Sequence, residues 1–148
     1  MASTGVAAFN IAGETLHSAL KLNVNFSAGV GKKSLMEMQE QWKDVRYIFI
    51  DEFSMLGQRL LRKVDARLRE LFPEHSKQSF GGRSVILIGD VFQLPPVLDT
   101  QLYVYNPNQK KHDILKSEGY KLYMVQKGCA SDRTSPTSKR YGIRPVVG

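Results

Sequence analysis

The apolar positions of this chain change their spacing from one end to the other, and each change predicts an element. Residues 4–8 are small and apolar and open a short helix. Gly13 breaks it, and residues 14–22 read as a second helix with Leu16 and Leu20 four apart. Residues 23–33 form a loop punctuated by Gly29 and Gly31. Ser34 and Glu37 stand at capping-box spacing, which predicts a helix starting at Ser34 with Leu35, Met38 and Trp42 on its apolar face. Residues 47–50, Tyr-Ile-Phe-Ile, are apolar at every position, the pattern of a strand covered on both faces in a parallel sheet.

The clearest helix spans residues 58–72. Leu60, Leu61, Val64, Leu68, Leu71 and Phe72 form its stripe, Arg59, Arg62, Lys63, Arg67 and Arg69 lie mostly off it, and Pro73 ends it. A glycine turn at 80–83 leads into a second buried strand, residues 84–88, and Pro95-Pro96 forces an extended loop beyond it. Residues 101–108 are ambiguous, 113–117 make one or two helical turns, and 120–125 look like a third strand. From Gln126 onward polar residues, Gly and Pro dominate without periodicity, so 126–148 read as a disordered tail behind a domain of residues 1–125. The pattern as a whole is α/β, a mostly parallel sheet flanked by helices.

Composition narrows the function. The 148 residues suggest one domain, and no apolar run approaches the length that crosses a bilayer. Residues 1–22 lack a basic start and do not read as a secretory signal. Cys129 is the only cysteine, which excludes an internal disulfide and a cysteine metal cluster. The formal charge of +7 favours contact with a polyanion such as nucleic acid, although Arg133, Lys139, Arg140 and Arg144 place part of the excess in the tail.

The chemistry sits where the strands end. In open α/β sheets ligands bind beyond the carboxyl ends of the strands. Here Ile50 runs into Asp51-Glu52, and Ile88 runs through Gly89 into Asp90. Asp51 can hold Mg²⁺ directly or through water, and Glu52 can take a proton from an attacking water. An apolar run followed by Asp-Glu also describes many helix caps and surface loops. Gln93, on the loop stiffened by Pro95-Pro96, has donors and an acceptor with which to feel a terminal phosphate. Phe9, His17 and Phe92 are candidates for base stacking, although as isolated residues each reads first as core. His17 has no second ligand at zinc spacing. Gly29-Val30-Gly31-Lys32-Lys33-Ser34 only superficially suggests a phosphate loop. The G-x-x-x-x-G-K-S/T pattern would need Gly at Phe26 and Ser or Thr at Lys33, and no strand leads into it.

Five motifs then stand in one order: Thr4-Gly5-Val6-Ala7-Ala8, Thr15-Leu16-His17-Ser18, Ile50-Asp51-Glu52-Phe53-Ser54-Met55, Phe80-Gly81-Gly82, and Gly89-Asp90 to Pro96. In order and spacing the chain resembles the superfamily-one DNA helicases of the petite-integration-frequency type, including the helicase parts of Helitron-like transposons, over residues 3–108. The resemblance implies a partial RecA-like P-loop NTPase domain of an ATP-dependent, 5′-to-3′ DNA helicase, with ATP, Mg²⁺ and single-stranded DNA as partners. By motif, Asp51 is then the magnesium carboxylate and Glu52 the water-activating base. Gln93 becomes the γ-phosphate sensor, with Asp90 beside the nucleotide, and Thr4, Gly5, His17 and Phe92 lie along DNA. The spelling Gly89-Asp90-Val91-Phe92-Gln93 departs slightly from the commoner Gly-Asp-Phe-x-Gln.

The family's phosphate loop, and the strand leading into Thr-Gly-x-Ala-Ala, belong upstream of Thr4, and the second RecA-like domain belongs downstream. Two readings follow: a helicase piece by descent, or a non-catalytic, transposon-derived remnant with weak nucleic-acid binding. The resemblance implies a nuclear location, or alternatively a mitochondrial one. DNA repair, recombination, telomere maintenance and transposition all fit the family.

Overall fold

A computed structural model of the chain describes residues 1–22, 30–105 and 114–126. The element order is α1 (Gly5–Asn10), α2 (Leu16–Ala19), α3 (Lys32–Trp42), β1 (Tyr47–Ile50), α4 (Gln58–Leu71), β2 (Ser84–Leu87) and α5 (Ile114–Gln126), with 3-10 turns at Phe53–Met55, Pro73–His75 and Ser79–Gly82. β1 and β2 pair in parallel with Tyr47 opposite Ser84 and Ile50 opposite Leu87, so the expected α/β, parallel arrangement is what forms.

The sheet is wider at its carboxyl end than two strands. Asp51 N donates to Met1 O at 2.9 Å, Ala2 N to Glu14 O at 3.0 Å and Leu16 N to Ala2 O at 3.0 Å. Ala2 thus forms parallel bridges to both Asp51 and Thr15. Met1 and Ala2 thus add isolated bridges at this edge and do not form a strand.

One face of the sheet carries the core. Ile48, Ile50 and Val85 are buried with Leu61, Val64, Leu68, Leu71 and Phe72 of the α4 stripe and with Leu16, Leu20, Met38, Leu122 and Tyr123. The expectation that β1 is covered on both faces is corrected: Tyr47 is 64% and Phe49 51% exposed, while Ile48 and Ile50 are buried. Side chains alternate across a strand, and the described helices that share this core cover only one of the two sets. Leu35 and Trp42 pack half-buried beside Met38, as their spacing predicts.

Three helix boundaries differ from expectation. The second helix is limited to Leu16–Ala19, capped by Thr15, whose Oγ1 accepts Ser18 N at 3.2 Å. α3 begins at Lys32 with Gly31 at its N-cap and no side-chain cap, because Ser34 Oγ instead accepts from Lys21 Nζ at 2.8 Å. The third strand at 120–125 is overturned: these residues lie inside α5, a helix that also takes in the turns expected near 113–117 from Ile114 onward. Local β preference loses here to packing. Gly119, Leu122 and Tyr123 recur at helical spacing, and a Cβ on Gly119 would collide with the Gln58 carbonyl, so only glycine lets α5 approach α4 this closely. Residues 23–29, 106–113 and 127–148, which include most of the first loop and the tail, lie outside the described residues.

The polar side of α4 is less solvated than its sequence suggests. Arg67 is buried and pairs with Glu70 at 2.6 Å. Asp65, 1% exposed, accepts from Phe80 N at 2.6 Å, Arg69 Nε at 2.8 Å and Arg62 Nη1 at 3.2 Å. Arg62 also bonds Glu118 of α5. Phe80 and Gly81 both have left-handed backbones, with φ of 56° and 60°, and a Cβ at Gly81 would sit 2.5 Å from Leu68 O. Asp65 therefore clamps the Phe80-Gly81-Gly82 turn against α4 and sets where β2 begins. Replacing Asp65 with Ala leaves the buried Phe80 N–H without its acceptor and takes one partner each from Arg62 and Arg69, which keep Glu118 and Ser76 O. We expect Asp65→Ala to lower unfolding free energy by about 1–3 kcal/mol, read as a fall in the urea midpoint.

Candidate functional site

The parallel ladder continues past both strands and brings their acidic ends together. Ile88 N donates to Ile50 O at 2.8 Å, and Phe53 N donates to Ile88 O at 3.1 Å. Gly89 then passes directly over Glu52. A Cβ on Gly89 would lie 3.0 Å from Phe53 N and 3.3 Å from Glu52 Cα, and its φ of +141° favours glycine in any case. Asp51 is half-buried, and its Oδ1 accepts Glu52 N at 2.9 Å. Glu52 has a left-handed backbone, φ 55° and ψ 45°. Met55 N closes the following turn on Glu52 O at 3.1 Å.

Beyond Gly89 the loop folds back on itself. Asp90 Oδ1 accepts Phe92 N at 2.9 Å, and Gln93 N donates to Asp90 O at 3.3 Å. Phe92, Gln93, Leu94 and Pro95 line an open depression of about 550 Å³ together with Met55, from the turn that follows Glu52. Phe92 is 93% exposed. By backbone, Asp51, Glu52 and Asp90 thus share the carboxyl rim of the strand pair, and Gln93 shares its depression with Met55, three residues past Glu52.

The amino-terminal candidates reach that rim through backbone. Thr4 Oγ1 caps α1 by accepting Ala7 N at 3.2 Å, and Gly5 is the exposed first residue of that helix. A Cβ on Gly5 would meet nothing within 4 Å, so packing does not require glycine there. Ser3 Oγ donates to Glu52 O at 3.0 Å. His17 is exposed on α2, whose start is tied to Ala2. Phe9 is 85% exposed, so it is not part of the core.

Two residues that hold the site were missed. Gln58, 1% exposed, donates from Nε2 to Gln101 O and Val104 O, each at 2.8 Å. Asp99 Oδ2 accepts Arg59 N at 3.0 Å and Leu60 N at 3.3 Å, capping α4 from 40 residues away. A Cβ on Gly57 would collide with the Asp99 carboxylate. The signal was available: Gly57 offers no side-chain oxygen, so the orphan N–H groups of a long helix need an acceptor from elsewhere. Burial lowers the Lys63 pKa, and the Asp99 charge opposes that shift. The far end of the Gln93 loop is thereby pinned to the helix that follows Asp51-Glu52.

A parallel sheet with acidic strand ends, a glycine crossing between them and flanking helices is part of a RecA-like motor domain. Comparison with known proteins agrees. The model of the PIF1-like helicase family matches residues 1–120, and the chain belongs to that family. It is 38% identical over 102 residues to the ATP-dependent DNA helicase PIF1 of Saccharomyces cerevisiae, covering 65% of this chain and 11% of the relative. The crystal structure of Pif1 helicase from Candida albicans superposes with a TM-score of 0.58 and 31% identity, over 82% of this chain and 26% of that one. The Pif1 helicase from Bacteroides in complex with ADP-AlF3 and single-stranded DNA gives a TM-score of 0.57 and 30% identity, over 76% of this chain and 25% of that one. The chain thus spans about a tenth of the length of the curated yeast relatives it matches.

Asp99→Ala removes the acceptor of two helix N–H groups. It should lower stability by about 1–2 kcal/mol in urea unfolding and speed amide exchange at residues 57–60.

Proposed function

We propose that this chain is the carboxylate-bearing and DNA-facing part of the first RecA-like domain of an ATP-dependent DNA helicase, working 5′ to 3′ on single-stranded DNA. The observation that carries this reading is the shared rim, where Gly89 crosses over Glu52 and Gln93 borders the turn that follows it. The Bacteroides neighbour was solved with ADP-AlF3 and single-stranded DNA, which supports both ligand classes.

In this reading Asp51 holds Mg²⁺, Glu52 accepts the proton of the attacking water, and Gln93 meets the terminal phosphate, with Asp90 shaping the Gln93 turn beside it. The residues fit such an ion. Asp51 commits Oδ1 to the Glu52 N–H and leaves its second oxygen for a hard cation. Among the described residues no three His, Cys, Asp or Glu cluster as a cage. Magnesium suits such a site, because it is held by one or two carboxylates together with water and phosphate. When bound, it neutralises charge on the phosphates being cleaved. Thr4, Gly5 and His17 lie along the DNA backbone, and Phe92 offers its ring to a base. Working on DNA puts the protein in the nucleus, with the mitochondrion as the alternative; repair, recombination and telomere maintenance all suit the family.

A second reading has an observation in its favour: these 148 residues contain no G-x-x-x-x-G-K-S/T loop. The segment by itself is then a non-catalytic remnant with weak DNA binding.

DNA-stimulated ATP hydrolysis by the chain alone is expected at background. Turnover that Glu52→Gln abolishes would overturn the second reading. Binding of an oligo(dT) strand, followed by fluorescence anisotropy, should weaken steeply with salt. Phe92→Ala should reduce it by roughly 1–3 kcal/mol if a base stacks on that ring. Absence of binding at low salt would count against the helicase reading.

A further inference from the structure

We propose that Ser3 is a positioning residue that links the DNA-facing amino-terminal segment to the backbone of Glu52, so that single-stranded DNA on Thr4-Gly5 is felt at the carboxylate rim. This rests on the DNA arm of the reading above.

The link is one hydrogen bond across 49 residues, Ser3 Oγ to Glu52 O at 3.0 Å. Its acceptor belongs to a residue whose backbone is left-handed, φ 55° and ψ 45°. A carboxylate-bearing residue keeps that conformation only where its surroundings hold it. Three other bonds hold the Glu52 peptides: Glu52 N to Asp51 Oδ1 at 2.9 Å, Met55 N to Glu52 O at 3.1 Å and Phe53 N to Ile88 O at 3.1 Å. All three come from the rim itself. From the amino-terminal segment, the Ser3 hydroxyl adds a side-chain bond to Glu52 O, next to the backbone bridge of Ala2 to Asp51.

Ser3 is also well placed to transmit a displacement. On one side it adjoins Ala2, which is fully buried and bridged to both Asp51 and Thr15. On the other it adjoins Thr4, whose side chain starts α1. Movement of Thr4-Gly5 against that anchored stub therefore falls first on the torsions of Ser3. Its hydroxyl then pulls on, or releases, the Glu52 carbonyl and with it the aim of the Glu52 side chain. A coupling of this kind is reciprocal, so whatever reorients Glu52 also acts on Thr4-Gly5.

The test is an amide NMR titration of the 148-residue chain with oligo(dT). In the parent chain, resonances of Thr4, Gly5, Glu52 and Phe53 should all shift. In Ser3→Ala the Thr4 and Gly5 shifts and the dT affinity should persist, the affinity within about threefold because phosphate contacts dominate it. The Glu52 and Phe53 shifts should fall to about a third or less, the scale of one net hydrogen bond. Ser3→Thr should restore them. Ser3→Val keeps the branched shape without the hydroxyl and should not, which separates loss of the bond from loss of packing or fold. If Glu52 shifts as far in Ser3→Ala and Ser3→Val as in the parent, or stays still in the parent while Thr4 and Gly5 move, the coupling is wrong and the DNA reading survives. If dT moves neither Thr4 nor Gly5, the DNA reading fails and the coupling falls with it.

Discussion

The parallel pairing of β1 with β2 is the constraint from which the rest of the molecule follows. Its register sets Ile50 beside Leu87, and the ladder runs on to Phe53 N and Ile88 O before the chains part. Two segments nearly 40 residues apart are thus delivered to one edge pointing the same way. An antiparallel pair would send one acidic end to the opposite edge of the sheet. Everything proposed for the rim presupposes this direction, and the direction itself is enforced by the crossover through α4 and the turn that Asp65 clamps.

The strands, α4 and the motif order were legible because each rests on local chemistry. The α4 stripe is written in leucines at helical spacing, and Pro73 ends it whatever surrounds it. The strand ends were legible for the same reason, since each β-prone run stops where the polar Asp-Glu or Gly-Asp begins. Misreadings fell where a distant partner decided the outcome. Tyr120 to Val125 is β-prone by composition and helical in fact, because Gly119 and Leu122 dock on α4. Tyr47 and Phe49 look like core, but the described helices leave their side of the sheet bare. The sites of Gln58 and Asp99 were illegible for a related reason. A side chain that satisfies backbone groups 40 residues away leaves no periodic trace, only an uncapped helix start that asks for one.

α4 emerges as more than a core helix. Its first turn is held by Asp99 and offers Gln58 to the chain at Gln101 and Val104. Its middle carries Asp65, which bonds the turn before β2, and Arg62, which reaches α5. Both ends of the β2 excursion are therefore fastened to one rod: the entry at Phe80 and the exit at Asp99. The loop that carries Gln93 is exposed along much of its length, yet its two attachments are fixed.

The backbone of Glu52 has a consequence for anyone who would engineer or diversify this fold. Glycine at position 52 would relax the backbone and delete the acid in a single step. A library screened for thermal robustness alone would favour that swap, and one screened for turnover would reject it if Glu52 is the base proposed above.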